Sequence, residues 1–241
     1  DYWQKKPLLV RQAVPGFGAM IGRDALLDMA CREDAESRLV RQSGGRWHVE
    51  YGPQDAARLA RLPKRNWTVL VQGVNTLHAG ADALMRAFDF IPYARLDDLM
   101  VSYAPTGGGV GPHYDSFDVF LIQGIGQRRW EIGAQQDKTL VGDAPLRILR
   151  NFQPEEVMEL APGDMLYLPP QYAHNGIAMS DCVTWSVGFR AYPAQDIVTQ
   201  FLIHLQDTLQ VDGVYSDPDL KATGEPARIP GTMLRRFLHM L

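Results

Sequence analysis

His113 and Asp115 stand two apart in Gly111-Pro112-His113-Tyr114-Asp115, and His174 closes the run Pro169-Pro170-Gln171-Tyr172-Ala173-His174. Two imidazoles and one carboxylate, with no thiolate, suit Fe(II) held on one face while the other face stays open to a cosubstrate and dioxygen. Mn(II), Co(II) and Zn(II) also accept such donors, so the metal alone does not fix the chemistry. Residues two apart on a strand project to one face, and His113 and Asp115 are therefore expected to point together. His174 follows 61 positions after His113 (174 − 113), far enough to lie on another strand that folds back. Gly107-Gly108-Gly109 lets the backbone bend before the first pair, and Pro169-Pro170 stiffens the turn before the last ligand. A lone His-x-Asp is common by chance. His48, His78, His204 and His239 lack such a neighbourhood and read as ordinary histidines.

A 2-oxo-dicarboxylate such as 2-oxoglutarate, chelated through its keto-acid end, needs a fixed cation for its far carboxylate. Arg128 and Arg129 lie on the strand expected after the turn Gly124-Ile125-Gly126. Alternation turns one of them inward, and a guanidinium fork binds a carboxylate bidentately. Arg129 reads as solvated. Ser102, Thr184 and Ser186 are hydroxyl partners for the same cosubstrate, each with a purely structural reading beside it. The Gly107–Gly111 run lacks the Gly-Lys-Ser/Thr ending of a phosphate loop and precedes a strand, not a helix.

The elements that must position these residues form a chain of 241 residues, 46% hydrophobic and 22% charged, enough for one large domain with a small appendage. The net charge of −4 predicts no broad nucleic-acid footprint, although a local basic patch is compatible with it. Cys31 and Cys182 form no Cys-x-x-Cys pair and read as buried free thiols of a cytoplasmic protein. No apolar run is long enough to cross a bilayer, and no signal peptide is recognisable. The start at Asp1 and a last helix reading as cut short at Leu241 suggest a longer natural chain.

Tyr2–Val10 is expected to lead into a short strand. Asp24 is expected to cap a helix over 25–30. Strands at 38–40 and 47–51 flank the hairpin signal Ser43-Gly44-Gly45, 67–72 is a strand, and 82–88 a helix. From Leu99 the texture becomes short strands at 99–103, 114–123, 127–132, 164–168 and 183–190, divided by Gly and Pro. That pattern predicts a β-sandwich or barrel. Residues 196–210 return to helical spacing, with Ile197, Phe201, Leu202, Leu205 and Leu209 on one stripe and Asp196 as N-cap. A Pro/Gly-rich stretch then leads to a final helix over 233–241.

Several stretches together resemble the JmjC-type ribosomal oxygenases. They are Trp3–Val10, Gly107–Asp115, Asp118–Gly124, Arg128-Arg129-Trp130, Pro162–Pro170 and Ser186-Val187-Gly188-Phe189-Arg190. The likeness is greatest to the bacterial branch that hydroxylates an arginine of ribosomal protein L16. The resemblance implies a mainly β fold with flanking helices, a double-stranded β-helix or cupin-like jelly roll. Its catalytic domain would span 1–195, and 196–241 would begin a truncated helical dimerisation region. It implies His113, Asp115 and His174 as Fe(II) ligands. It makes Arg128, fifteen positions after the first ligand, the 2-oxoglutarate anchor. It implies a ribosomal protein as partner and a homodimer in the full-length protein; no direct nucleic-acid or membrane partner is expected.

For an arginine substrate the site should offer a carboxylate or amide acceptors and an apolar sleeve for the methylenes. Asp118, Gln123 and Asn75 are the candidates by chemistry and position. The competing readings are a histidine hydroxylase of another ribosomal protein, a lysine demethylase with an aromatic or polar cage, and a metal-binding cupin without turnover. The last has no use for the cation at Arg128.

Overall fold

Side-chain parity explains the architecture. The computed structural model describes residues 1–18 and 20–240, so the last residue of the expected final helix, Leu241, lies outside the described residues. In chain order the elements begin with β1 (Leu8–Val10), α1 (Arg23–Ala30), β2 (Ser37–Ser43), β3 (Arg46–Tyr51), α2 (Ala56–Leu59), β4 (Trp67–Val71), α3 (Val74–Leu77) and α4 (Ala79–Arg86). They continue with β5 (Leu96–Ala104), β6 (His113–Tyr114), β7 (Asp118–Ile125), β8 (Arg128–Gly133), β9 (Glu156–Leu160), β10 (Met165–Leu168), β11 (Ala173–Ala178) and β12 (Cys182–Phe189). Two helices follow, α5 (Ala194–Thr208) and α6 (Gly231–Met240).

The strands form an eight-stranded sheet, ordered β1-β10-β7-β12-β5-β4-β2-β3, and a four-stranded sheet, ordered β6-β11-β8-β9. Among the described residues, neighbouring strands in both sheets run antiparallel. From β5 onward the chain runs large, small, large, small, small, large, small, large between the sheets. That alternation is a double-stranded β-helix, the fold the family resemblance implied within the barrel-or-sandwich class read from the short strands.

Along the large sheet, one parity packs against the helices: Leu39, Val69, Val71, Leu99, Val101, Phe120, Trp185 and Val187 belong to the main core with Leu26 and Ala81. The other parity looks toward the small sheet and lines a cavity: Val40 of β2, Thr68 and Leu70 of β4, Asp98, Met100 and Ser102 of β5, Val119 and Leu121 of β7, and Thr184 and Ser186 of β12. A second apolar cluster joins the sheets through Val119, Leu121, Leu166 and Leu168 on one side and Trp130, Ile132 and Leu160 on the other. Period-two strands buried on both faces thus give a helix-backed core and a cavity from one sheet.

Local expectations fare unevenly. The hairpin turn at Gly44-Gly45 carries two positive φ angles, 57° and 76°, as a tight turn between twisted strands requires. The helix over 25–30 begins at Arg23 behind Gly22, so Asp24 sits in the first turn and does not cap it. Similarly, α5 begins behind Pro193, which leaves Asp196 in its first turn. The helix at 82–88 runs instead from Ala79 to Arg86. The single strand expected over 114–123 is two strands in different sheets, because the chain breaks after Tyr114 and crosses over before Asp118. Both cysteines are free, but Cys31 is only partly buried.

The chain forms two compact units, Asp1–Ala191 and Tyr192–Leu241. In the second, neither α5 nor α6 has a buried residue, and the predicted stripe at Ile197, Phe201, Leu202 and Leu209 is exposed.

Asp118 is fully buried and on the helix-side parity of β7. Its Oδ1 accepts the Tyr167 hydroxyl at 2.6 Å, and its Oδ2 accepts Gln4 Nε2 at 2.8 Å and Arg95 at 3.2 Å. The carboxylate thereby ties the leading segment to the sheet, with Trp3 stacked on Tyr167 at 5.7 Å. Asp118→Ala strands three polar partners at a buried site. It is expected to lower unfolding stability by about 3 kcal/mol, to be read as a reduced urea midpoint; an unchanged midpoint would show the network to be dispensable.

Candidate metal centre

His113 and His174 face each other directly across the β6–β11 ladder, and their ring centroids lie 4.2 Å apart. Asp115 lies just past the end of β6, not on the strand as its spacing had implied. Its loop is pinned where the Asp115 carbonyl accepts the Gln171 amide at 2.7 Å. Asp115 Oδ2 then sits 3.9 Å from His113 Nε2 and 3.6 Å from His174 Nε2. The donor atoms of the three residues lie within 4.8 Å of one another, close enough to share one cation.

Both rings are oriented from behind. His113 Nδ1 lies 2.8 Å from the Gly111 carbonyl, and His174 Nδ1 lies 3.0 Å from the Tyr172 carbonyl. A carbonyl can only accept, so each Nδ1 carries the proton and each Nε2 lone pair is free for a metal. Burial, then the neighbouring His113, pushes the His174 pKa down to about 4, against the opposing pull of Asp115. Its imidazole is therefore neutral at neutral pH, the form that ligates.

Two glycines make this approach feasible. Gly111 has φ +82°, and a Cβ there would lie 2.7 Å from the Trp47 ring and 2.8 Å from Ile148. A Cβ on Gly176 would lie 2.7 Å from the Trp130 ring. Gly111→Ala is expected to weaken Co(II) binding by about tenfold or more through displacement of His113, as outer-shell losses do; equal affinity by competition titration would show the turn to be tolerant.

The cavity beside these donors measures about 350 Å³, the lower end of the range for small-molecule sites. Alternation along β8 buries Arg128, Trp130 and Ile132 and turns Arg129 outward to Glu131 at 3.2 Å. His174 pairs with Ile132 and Ala178 with Arg128, which puts the Arg128 backbone four residues, roughly 13 Å, from the metal donors on the same face. Its side chain lines the cavity. It is 94% buried (6% exposed), its Nε has no hydrogen-bond partner, a terminal nitrogen meets Cys182 Sγ at 3.6 Å, and the guanidinium lies 5.7 Å from the Trp130 ring centroid. A buried guanidinium without a carboxylate is costly unless an anion joins it, so the donor set and this cation together fit a metal with a chelating dicarboxylate.

Ser102, Thr184 and Ser186 line the same cavity. The three residues expected at the substrate do not. Asp118 is in the network described above. Gln123 is fully buried, donating to the Ile125 carbonyl at 2.7 Å and accepting from Thr184 at 3.1 Å. Asn75 accepts the Leu99 amide at 3.0 Å, joining α3 to β5. Besides Asp115, the carboxylates that line the cavity are Asp97 and Asp98, and Met100 stands between Asp98 and Ser102 on the same face of β5. Stepping back by two from Ser102 would have found Met100 and Asp98; Asp97 has the other parity and is paired with Arg190 at 2.7 Å. Burial, with Asp97 adding, lifts the Asp98 carboxyl above its ordinary value, against the Gly73 amide that donates to it.

Comparison with known proteins decides the family. Residues 83–197 match the JmjC domain family. The matched segment is a JmjC domain. It is 38% identical over 231 residues to the ribosomal protein uL16 3-hydroxylase of Escherichia coli K12, covering 95% of this chain and 61% of that protein. A Haemophilus influenzae protein described as a probable ribosomal oxygenase is 40% identical over 227 residues, covering 91% and 53% of the two chains. The structure of YcfD, a ribosomal oxygenase from E. coli, in complex with cobalt and 2-oxoglutarate superposes with a TM-score of 0.82 at 36% identity, covering 100% of this chain and 63% of that one. The chain thus spans less than two thirds of the length of these relatives. Among the described residues no helix is long and apolar enough to cross a membrane.

Proposed function

We propose that this JmjC protein is an Fe(II)- and 2-oxoglutarate-dependent oxygenase that hydroxylates an arginine side chain of ribosomal protein uL16 (L16). The observation that carries the reading is the buried, unpaired Arg128 on the same face as the His113–Asp115–His174 donors. The names of the E. coli relatives, a uL16 3-hydroxylase and a ribosomal oxygenase bound to cobalt and 2-oxoglutarate, agree with it.

His113, Asp115 and His174 would hold the iron, and Arg128 would take the distal carboxylate of 2-oxoglutarate, with Ser102 or Ser186 beside it. The metal and cosubstrate would supply the oxidation, consuming dioxygen and yielding succinate and carbon dioxide as the substrate gains a hydroxyl. The protein's part is to orient both imidazoles, neutralise the carboxylate and keep water from the apolar walls. Asp98 would attract the substrate guanidinium, with Met100 flanking its methylenes. This carboxylate favours a cationic arginine over a histidine target.

The fuller reading places residues 1–195 as the catalytic domain of a cytoplasmic enzyme and residues 196–241 as the start of a dimerisation region. The exposed apolar stripe of α5 supports the latter, and sedimentation of the full-length protein should give a dimer.

The substrate assignment is tested with uL16 peptides incubated with Fe(II), 2-oxoglutarate and air, then sequenced by tandem mass spectrometry. One oxygen on an arginine side chain is expected, and none when that arginine is replaced by lysine. Asp98→Asn should raise KM for the peptide about tenfold, the loss of one exposed-to-half-buried charge pair, with little change in KM for 2-oxoglutarate. Consumption of 2-oxoglutarate without peptide oxidation would send the search to other ribosomal proteins.

A further inference from the structure

The overall negative balance conceals one strongly basic end of the large sheet. Residues 37–49 and 56–72 hold seven of the chain's 24 Lys and Arg and not a single Asp or Glu. The fold brings these two segments together. Arg41 of β2 pairs with Trp67 of β4, and the next residue's amide, Gln42 N, donates to the Asn66 carbonyl at 3.1 Å. Across β2, Ser43 pairs with Arg46 of β3. The turn at 43–46 and the loop at 61–66 therefore lie at the same end of adjacent strands. Arg46 and Arg65 stand about two strand spacings apart, roughly 10 Å.

Two cations near this end are already neutralised: Arg41 and Arg58 share Glu50, at 2.8 and 2.5 Å. Glu50 itself lies four residues along β3 from Arg46, roughly 13 Å away. Arg46, Arg61, Lys64 and Arg65 are exposed and, among the described residues, carry no ion pair. Beside them the turn offers Ser43 and two glycines, and β3 offers a half-exposed Trp47 and an exposed His48. Guanidinium groups, open backbone amides and neighbouring aromatic rings are what a phosphate backbone with unstacked bases requires. An acidic peptide would use the charges but not the rings.

This end also adjoins the candidate metal centre. The Trp47 ring packs where a Cβ on Gly111 would fall, two residues before His113, and the Asn66 side chain packs likewise against Gly107. We propose that the surface formed by the 43–46 turn and the 61–66 loop binds RNA and docks the protein on a ribonucleoprotein or nascent ribosomal particle beside its substrate. The biological setting rests on the ribosomal reading above; the binding itself does not.

The test is fluorescence anisotropy of a labelled oligouridylate with the full-length protein across a salt series. Contacts by three or four cations predict a slope of log affinity against log salt of about −2 to −3. The triple variant Arg46→Glu, Lys64→Glu, Arg65→Glu should bind at least tenfold more weakly with a shallower slope. Reversing Lys221, Arg228 and Arg235 in the second unit changes net charge equally and should cost far less. Circular dichroism and the melting temperature check that each variant is folded. Absence of binding by the wild type, or equal loss from both triple variants, would overturn the inference. Displacement of the RNA by poly-glutamate at equal charge concentration would overturn it in favour of an acidic protein. Arg128→Ala should bind RNA as the wild type does, so failure of the oxygenase reading and failure of this one are separable.

Discussion

Replacing Arg128 with alanine is expected to raise KM for 2-oxoglutarate by about two orders of magnitude or more. Truncating one partner of a buried, hydrogen-bonded charge pair costs about 2–5 kcal/mol, and each 1.36 kcal/mol is a factor of about ten. Arg128 qualifies because it is almost wholly buried, its Nε is unpartnered, and no carboxylate of the protein neutralises it. The loss should be confined to the cosubstrate. Co(II) affinity should hold, since His113, Asp115 and His174 take their orientation from the Gly111 and Tyr172 carbonyls and the Gln171 amide, not from Arg128. Arg128→Lys should recover part of the affinity, because an ammonium keeps the charge but loses the fork. Steady-state kinetics against 2-oxoglutarate, with metal binding measured in parallel, separates these effects. An unchanged KM in Arg128→Ala would remove the cosubstrate from this cavity.

His174→Ala is expected to abolish turnover and to weaken metal binding by more than about a hundredfold, since outer-shell losses alone reach 10- to 100-fold. His174 is the buried member of the set, facing His113 across one ladder step. Its removal leaves two donors, His113 on β6 and Asp115 just past it, and a hole beside Trp130, whose ring centroid is 5.9 Å away. Metal that binds only the folded state also stabilises it, by about 2.7 kcal/mol at a hundred times Kd. Chelation should therefore lower the melting temperature of the wild type and leave His174→Ala unmoved. A variant that kept its metal-dependent melting shift would place the metal elsewhere.

The sequence carried the metal donors and the barrel because both are short-range patterns. His-x-Asp needs only a turn and two residues, and the strands after Leu99 are bounded by Gly and Pro that cannot be misread for long. Alternation required one of Arg128 and Arg129 to face inward, and the family resemblance picked Arg128; the burial of Trp130 and Ile132 on the same parity agrees with that choice. The crossover between Tyr114 and Asp118 was not, since a run of strand-forming residues does not reveal where the chain changes sheets. Asp118 stands three positions after Asp115, so even a continuous strand would turn it to the opposite face; in β7 its parity sends it into the helix-side core, onto Tyr167 and Arg95. Gln123 has cavity-side parity but lies at the far end of β7, where Thr184 takes its amide oxygen. Asn75 depended on a tertiary contact with Leu99 that no local pattern encodes. Asp98 was missed because the strand was begun at Leu99, three residues after the true start of β5 at Leu96, although Ser102 already marked the face.

In the proposed reaction this chain couples 2-oxoglutarate to dioxygen at the His113–Asp115–His174 centre and passes one oxygen to its substrate. Turnover under isotopically heavy dioxygen, with mass spectrometry of both products, tests it most directly. The account predicts one heavy oxygen in succinate and one in the hydroxylated peptide, in equal amounts, and neither in His174→Ala. Peptide oxygen drawn from water, or peptide oxidation with no matching succinate, would contradict it.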